Sequence, residues 1–241
     1  MLVASPDGWA RPLFDVIAVV SDQLRHEGAR GALIIGSRAR HTATEVSDLD
    51  LLVVDRDESE RERFERTLYS GVLVETAARD EQHWYEHLHG PRPRWVYAFM
   101  DAGDVLFDDG ALARLQSLSR GVYEDFVTPT EVRQELASLL WHGRAKTARA
   151  AASQDPRQAA YWTALLVPTL LDALLALGNR PTVPGSRRLE VLETISLDPR
   201  DETLLTIAMT GEPLGALDAA RELADSLLDR VGDPDLERVD W

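Results

Sequence analysis

The chain has 241 residues, a formal net charge of −15 at pH 7 and no cysteine. That length allows one large domain or two small ones with a real core, and the missing cysteine excludes disulfides and thiolate zinc sites. The acidity disfavours a broad nucleic-acid surface, which needs Lys and Arg against phosphates. It suits attraction of a cationic small substrate as well as ordinary solubility.

The first predicted element is a helix over Pro12–His26, where Leu13, Ile17, Val20 and Leu24 recur at helical spacing and Gly28 is a plausible stop. Ala32–Ile35 then reads as a short buried strand ending in Gly36-Ser37, and Asp48-Leu49-Asp50 opens a second apolar run, Leu51–Val54. Alternation along a strand puts Asp48 and Asp50 on one face. Two carboxylates so placed repel each other unless a cation sits between them. Their oxygens suit Mg²⁺ or Mn²⁺, and Mg²⁺ typically takes one or two carboxylates plus substrate phosphates. Gly36 lets backbone approach a ligand, Ser37 offers a hydroxyl and an N–H, and a helix beginning over Arg38–His41 would point positive partial charge at the same place.

Further on, Asp57–Leu68 is a charged run that reads as a short, mostly exposed helix. Gly71–Ala77 reads as a third strand, with Glu75 as an acid inside an otherwise apolar run, expensive unless paired or metal-bound. Asp80 is positioned to cap a helix ending near His89. His83 and His87 lie at i, i+4 on it but lack the HExxH pattern of a zinc site. Trp95–Met100 is a strand or the start of a helix, Val105–Gly110 a short strand ending in a turn, and Ala111–Leu118 a short helix.

Beyond Gly121–Pro129 the sequence becomes helical. Thr130 is expected to cap Glu131–Ala152, and Pro156–Leu177 forms a second long helix with Pro168 inside it. After a loop over Arg180–Gly185, helices follow near Ser186–Ile195, Arg200–Met209 and Leu214–Arg230, for which antiparallel packing is economical. The expected fold class is therefore α+β: a small mixed sheet domain over residues 1–125, then a helical bundle over 126–241. No segment is expected to approach an apolar transmembrane helix, and the N-terminus lacks a basic stretch before an apolar core, so the expectation is a soluble, cytoplasmic protein with no membrane partner.

GSRAR, seven residues, then DLD on a strand resembles the signature of the DNA-polymerase-β-like nucleotidyltransferase superfamily. Gly36, Ser37, Ala39, Arg40, Ser47, Asp48 and Asp50 stand where the small members carry such residues, and His41 departs from them where many place Gly. The resemblance implies nucleotide contacts at Gly36, Ser37 and Arg40, and a third carboxylate from the strand after the Asp-X-Asp strand. Glu75 is the acid in that context, as a metal ligand or as the general base for an acceptor hydroxyl. The layout of a small sheet domain and then helices is similar to that of the antibiotic nucleotidyltransferases, whose acceptor lies between the domains.

In the helical part, Lys146 is the one lysine of the chain and shares a helix face with His142. It is a candidate triphosphate contact, and Arg187 and Arg188 are weaker ones. Gly143 beside them costs about 1 kcal/mol mid-helix relative to Ala. Together these features imply Mg²⁺-dependent transfer of a nucleoside monophosphate, AMP from ATP in the first instance, to a hydroxyl of a small, cationic molecule, with Asp48, Asp50 and Glu75 holding two ions. The rival readings are a non-catalytic or antitoxin-type partner protein on the same fold, and a transferase acting on a protein or tRNA; the acidic total argues against an RNA substrate. Oligomeric state is not legible.

Overall fold

A computed structural model describes residues 11–56, 63–101 and 103–232. The chain forms two compact units, Met1–Glu124 and Asp125–Trp241, each described by itself.

In the first unit, α1 (Arg11–Glu27) leads into a five-stranded mixed sheet of order β3-β4-β2-β1-β5. The strands are β1 (Gly31–Ile35), β2 (Leu49–Asp55), β3 (Arg63–Tyr69), β4 (Val72–Asp80) and β5 (Val105–Asp108). β1 runs antiparallel to β2 and β5, β2 runs parallel to β4, and β3 runs antiparallel to β4. One face is covered by α1 through Leu13, Val16, Val20 and Leu24, which cluster with Ala32, Ile34, Leu51 and Val53. The other carries α3 (Glu81–His89), α4 (Val96–Met100) and α5 (Ala111–Asp125), with Trp84, Phe99 and Leu112 packed on Leu33, Leu52 and Val54. Trp84 donates its indole N–H to the Val53 carbonyl at 2.9 Å. Helices on both faces explain why β1 and β2 read as near-continuous apolar runs.

Asp80 caps α3 as expected, accepting from the His83 N–H at 2.8 Å. Trp95–Met100 resolves as a helix, and α5 outruns the short helix expected over Ala111–Leu118. Within the charged helix expected over Asp57–Leu68, the described residues form a strand instead. Residues 57–62 lie outside the described residues, and Arg63–Tyr69 is β3. β3 is an edge strand with Phe64 and Leu68 both largely exposed, so its composition is set by solvent rather than by a core face. Ser70 and Gly71, with φ of 48° and 86°, join β3 to β4. Two consecutive positive φ values are the mark of the tight turn that matches the twist of a hairpin.

The second unit comprises α6 (Thr130–Ser153), α7 (Pro156–Leu177), a 3₁₀ turn over Gly185–Arg187, α8 (Arg188–Leu192), α9 (Pro199–Thr210) and α10 (Pro213–Val231). α10 packs on α6, α7 and α9, and α6 packs on α7. Thr130 is the first residue of α6 rather than its cap; that position falls to Pro129, which makes no side-chain capping bond. A side chain at position 143 would put its Cβ 2.7 Å from Leu166 Cδ1, so Gly143 is where α6 and α7 approach closely. By length and composition α7 is apolar enough to cross a membrane, against the expectation from sequence. Its apolar side chains are instead used inside the bundle, where Leu166, Leu170, Leu171, Leu174 and Leu175 are buried. Asp201, 1% exposed, accepts from Ser226 at 3.0 Å and pairs with Arg230.

Candidate metal and nucleotide site

The site grows from the end of β1. Gly36 follows Ile35 with φ of 73°, a conformation that disfavours any Cβ. A Cβ there would also lie 2.0 Å from Asp50 Oδ2, so the turn passes directly against that carboxylate. Gly36–Ala39 forms one helical turn, α2, starting two residues before the helix expected over Arg38–His41. So short an element carries little macrodipole; what it offers a ligand is backbone N–H groups and the Ser37 hydroxyl. His41 has φ of 57°. Histidine, where the resemblance expects glycine, thus stands in a backbone conformation that glycine adopts more readily.

The loop back to β2 is stitched by Arg38. Its Nε donates to the Asp48 carbonyl at 2.7 Å, and a second guanidinium nitrogen donates to the Ser47 carbonyl. The Thr44 N–H donates to Ser47 Oγ at 2.9 Å, tightening the turn just before. Asp48 lies immediately ahead of β2, and its carboxylate comes together with that of Asp50, as expected for residues two apart.

Register supplies the rest. Asp50 of β2 stands opposite Ile35 on one side and Glu75 of β4 on the other, and Glu75 stands opposite Arg66 of β3. Ile35, Asp50, Glu75 and Arg66 thus form one row across the sheet. Carboxylate oxygens of Asp48, Asp50 and Glu75 lie within 4.8 Å of one another. This is the one such acidic or histidine cluster among the described residues. Burial, then the charges of Asp48 and Glu75, push the Asp50 carboxyl up to about 6, while Arg40 and Arg38 oppose the shift. Arg38 itself is held below the usual guanidinium range by burial. Glu75 Oε1 forms an ion pair with Arg66, whose Nε lies 2.7 Å away.

The donor set fits a hard divalent cation. It is all oxygen, without thiolate or imidazole, as Mg²⁺ and Mn²⁺ prefer.

The other candidates fall elsewhere. Arg40 is close enough to lower Asp50's pKa. Lys146 belongs to the helical unit, where it is exposed on α6. Arg188 is bonded through two nitrogens to Asp172 at 2.6 and 2.9 Å, and Arg187 to Glu190 at 2.9 Å, so both arginines are engaged inside the bundle. His83 Nδ1 is 2.6 Å from Asp80 Oδ2. Arg38 and Arg66 are absent from the residues expected at the site. Arg38 was within reach, because it sits inside the GSRAR motif. Arg66 was not, because its stretch reads as a helix.

No protein-family profile matches the chain, and no curated protein does. Among solved structures, it is similar to a nucleotidyltransferase-like protein from Exiguobacterium sibiricum 255-15, with a TM-score of 0.50 and 17% identity over 88% of this chain and 72% of that one. At that identity the likeness is one of fold: an α+β nucleotidyltransferase-like architecture with a helical C-terminal part.

Proposed function

We propose that the protein is a nucleotidyltransferase that moves a nucleoside monophosphate, AMP from ATP in the first instance, onto a hydroxyl of a small molecule. The observation that carries the reading is the convergence of the Asp48, Asp50 and Glu75 oxygens within 4.8 Å beside the Gly36 turn. In the reaction the acceptor oxygen forms a bond to the α-phosphorus, the bond to the leaving pyrophosphate breaks, and the hydroxyl proton passes to a base. Two Mg²⁺ ions, bound by the carboxylates, would polarise the triphosphate and lower the pKa of the acceptor hydroxyl.

The chain's own residues have separable tasks. Asp48 and Asp50 hold positive charge at the reacting phosphate. Ser37 and the backbone at the start of α2 hold the triphosphate, with Arg40 adding charge nearby. Arg38 fixes the backbone of Ser47 and Asp48, which keeps the first carboxylate in place. Glu75 either completes the ligand set or takes the acceptor's proton. The net charge of −15 supports a cationic acceptor, as does the similarity of the layout to antibiotic nucleotidyltransferases. This reading places the protein in the cytoplasm, where nucleoside triphosphates and Mg²⁺ are available.

The test is a thermal-shift screen of the four nucleoside triphosphates with and without Mg²⁺, followed by pyrophosphate release with candidate acceptors. A Mg²⁺-dependent rise in melting temperature with one nucleotide is expected. No shift with any of the four would remove the nucleotide from the reading. Acceptor affinity that does not fall with salt would discard the cationic acceptor alone.

A further inference from the structure

We propose that Arg66 is a resident counter-cation that makes metal entry at the three carboxylates depend on arrival of the triphosphate. The inference rests on the reading of the site as a metal–nucleotide centre.

Arg66 is brought to the site by strand pairing: it stands opposite Glu75 on β3, and its Nε lies 2.7 Å from Glu75 Oε1. That oxygen belongs to one of the carboxylates a divalent cation would use. The two neighbouring arginines act differently. Arg38 spends hydrogen bonds on backbone carbonyls of the Asp48 loop, and Arg40 acts on Asp50 through space.

The Arg66 side chain is 74% exposed and sits on an edge strand. An ion pair in that setting is weak, so it breaks and re-forms readily. While it is made, it supplies positive charge to the cluster and opposes a second cation by direct repulsion. A triphosphate changes the balance. Guanidinium binds phosphate oxygens through paired N–H donors at least as well as it binds a carboxylate. If Arg66 turns to the phosphate, Glu75 is freed for the metal at the moment the substrate brings its own negative charge. Metal and nucleotide then favour each other's binding, and the coupling must be reciprocal. Arg66 is a positioning residue on this account: it acts through Glu75 before the substrate arrives and holds phosphate afterwards.

The experiment uses the full chain as wild type, Arg66→Gln and Arg66→Lys. Binding of Mn²⁺ alone is read by electron paramagnetic resonance. Binding of an ATP analogue with a methylene α–β bridge is read by calorimetry in the presence of a chelator. Arg66→Gln should bind Mn²⁺ alone roughly three- to tenfold tighter than wild type at low salt, with the gain shrinking as salt rises. It should bind the metal-free analogue several-fold more weakly. Arg66→Lys keeps the charge and should stay near wild type in Mn²⁺ binding, which separates electrostatics from any disturbance of β3, and should bind the analogue between wild type and Arg66→Gln because it lacks the paired N–H donors. Unchanged or weaker Mn²⁺ binding in Arg66→Gln overturns the competition, and unchanged analogue affinity overturns the hand-over. Either result leaves the metal–nucleotide reading standing. Failure of all three proteins to bind Mn²⁺ and the analogue would overturn that reading and this inference together.

Discussion

Each unit takes an aspartate out of bulk water, and the two are treated in opposite ways. In the helical bundle Asp201 is buried and met by the Ser226 hydroxyl and the Arg230 guanidinium. In the sheet unit Asp50 is half-buried and faces Asp48 and Glu75, which push its carboxyl up to about 6 together with burial. The first arrangement is complete without a ligand. The second places like charges together on the sheet, an arrangement that a cation would stabilise. Buried charge is therefore neutralised within the fold in one unit and left concentrated in the other.

The largest effect that would break this contrast is on transfer itself. Asp48→Asn or Asp50→Asn should lower pyrophosphate release by at least ~10²-fold, since a metal ligand matters no less than the partners that orient it. Circular dichroism of both variants should be that of wild type. Near-normal turnover in either variant would mean that the carboxylates do not hold the reacting metal. Glu75→Gln should cost about 10²–10⁴-fold if Glu75 is the base. Calorimetry distinguishes its two roles, because only loss of a ligand also weakens metal binding.

Removing the bundle aspartate should hurt folding instead. Asp201→Ala leaves Arg230 and Ser226 without their acceptor, and a loss of about 2–3 kcal/mol in urea unfolding is expected. A smaller effect with the opposite sign belongs to Asp50. Its carboxyl is raised from an ordinary 3.8 to about 6 in the folded chain, so the folded state holds the proton more tightly than the unfolded state. The contribution of Asp50 to metal-free stability is then greatest below about pH 4, falls as pH rises through about 6, and is flat above. The gap corresponds to ~3 kcal/mol at full strength, and solvent screening at a part-exposed group reduces it to ~1–2 kcal/mol. Asp50→Asn should remove that slope and be the more stable protein at pH 7.5 without metal, as measured by denaturant melts across pH. Saturating Mg²⁺ should erase the difference.

What could be read from the sequence follows the reach of each interaction. The β1–turn–β2 unit with Asp48 and Asp50 was legible because its turn residues and carboxylates are near neighbours in the chain. Asp80 was legible as a cap for the same reason: its bond to the His83 N–H spans three residues. β3 was not, since its charged, irregular composition matches a solvated helix as well as an edge strand. Ser70-Gly71 was the available signal, a two-residue hairpin turn between the run and β4. Missing the strand hid the Arg66–Glu75 pair, which exists only through cross-strand register. The same limit applies to α7, whose apolar surface is explained by partners elsewhere in the bundle.

Gly36 has a consequence for how the sequence can vary. Its backbone φ of 73° and the 2.0 Å that would separate a Cβ from Asp50 Oδ2 exclude a side chain for two independent reasons. Positions 36 and 50 should therefore behave as a linked pair in a saturation library selected for folding alone. Alanine at 36 should survive more often when position 50 is Gly, Ala or Ser than when it is Asp. The residual bias toward glycine in that background would measure the turn's own demand, apart from the demand made by the carboxylate.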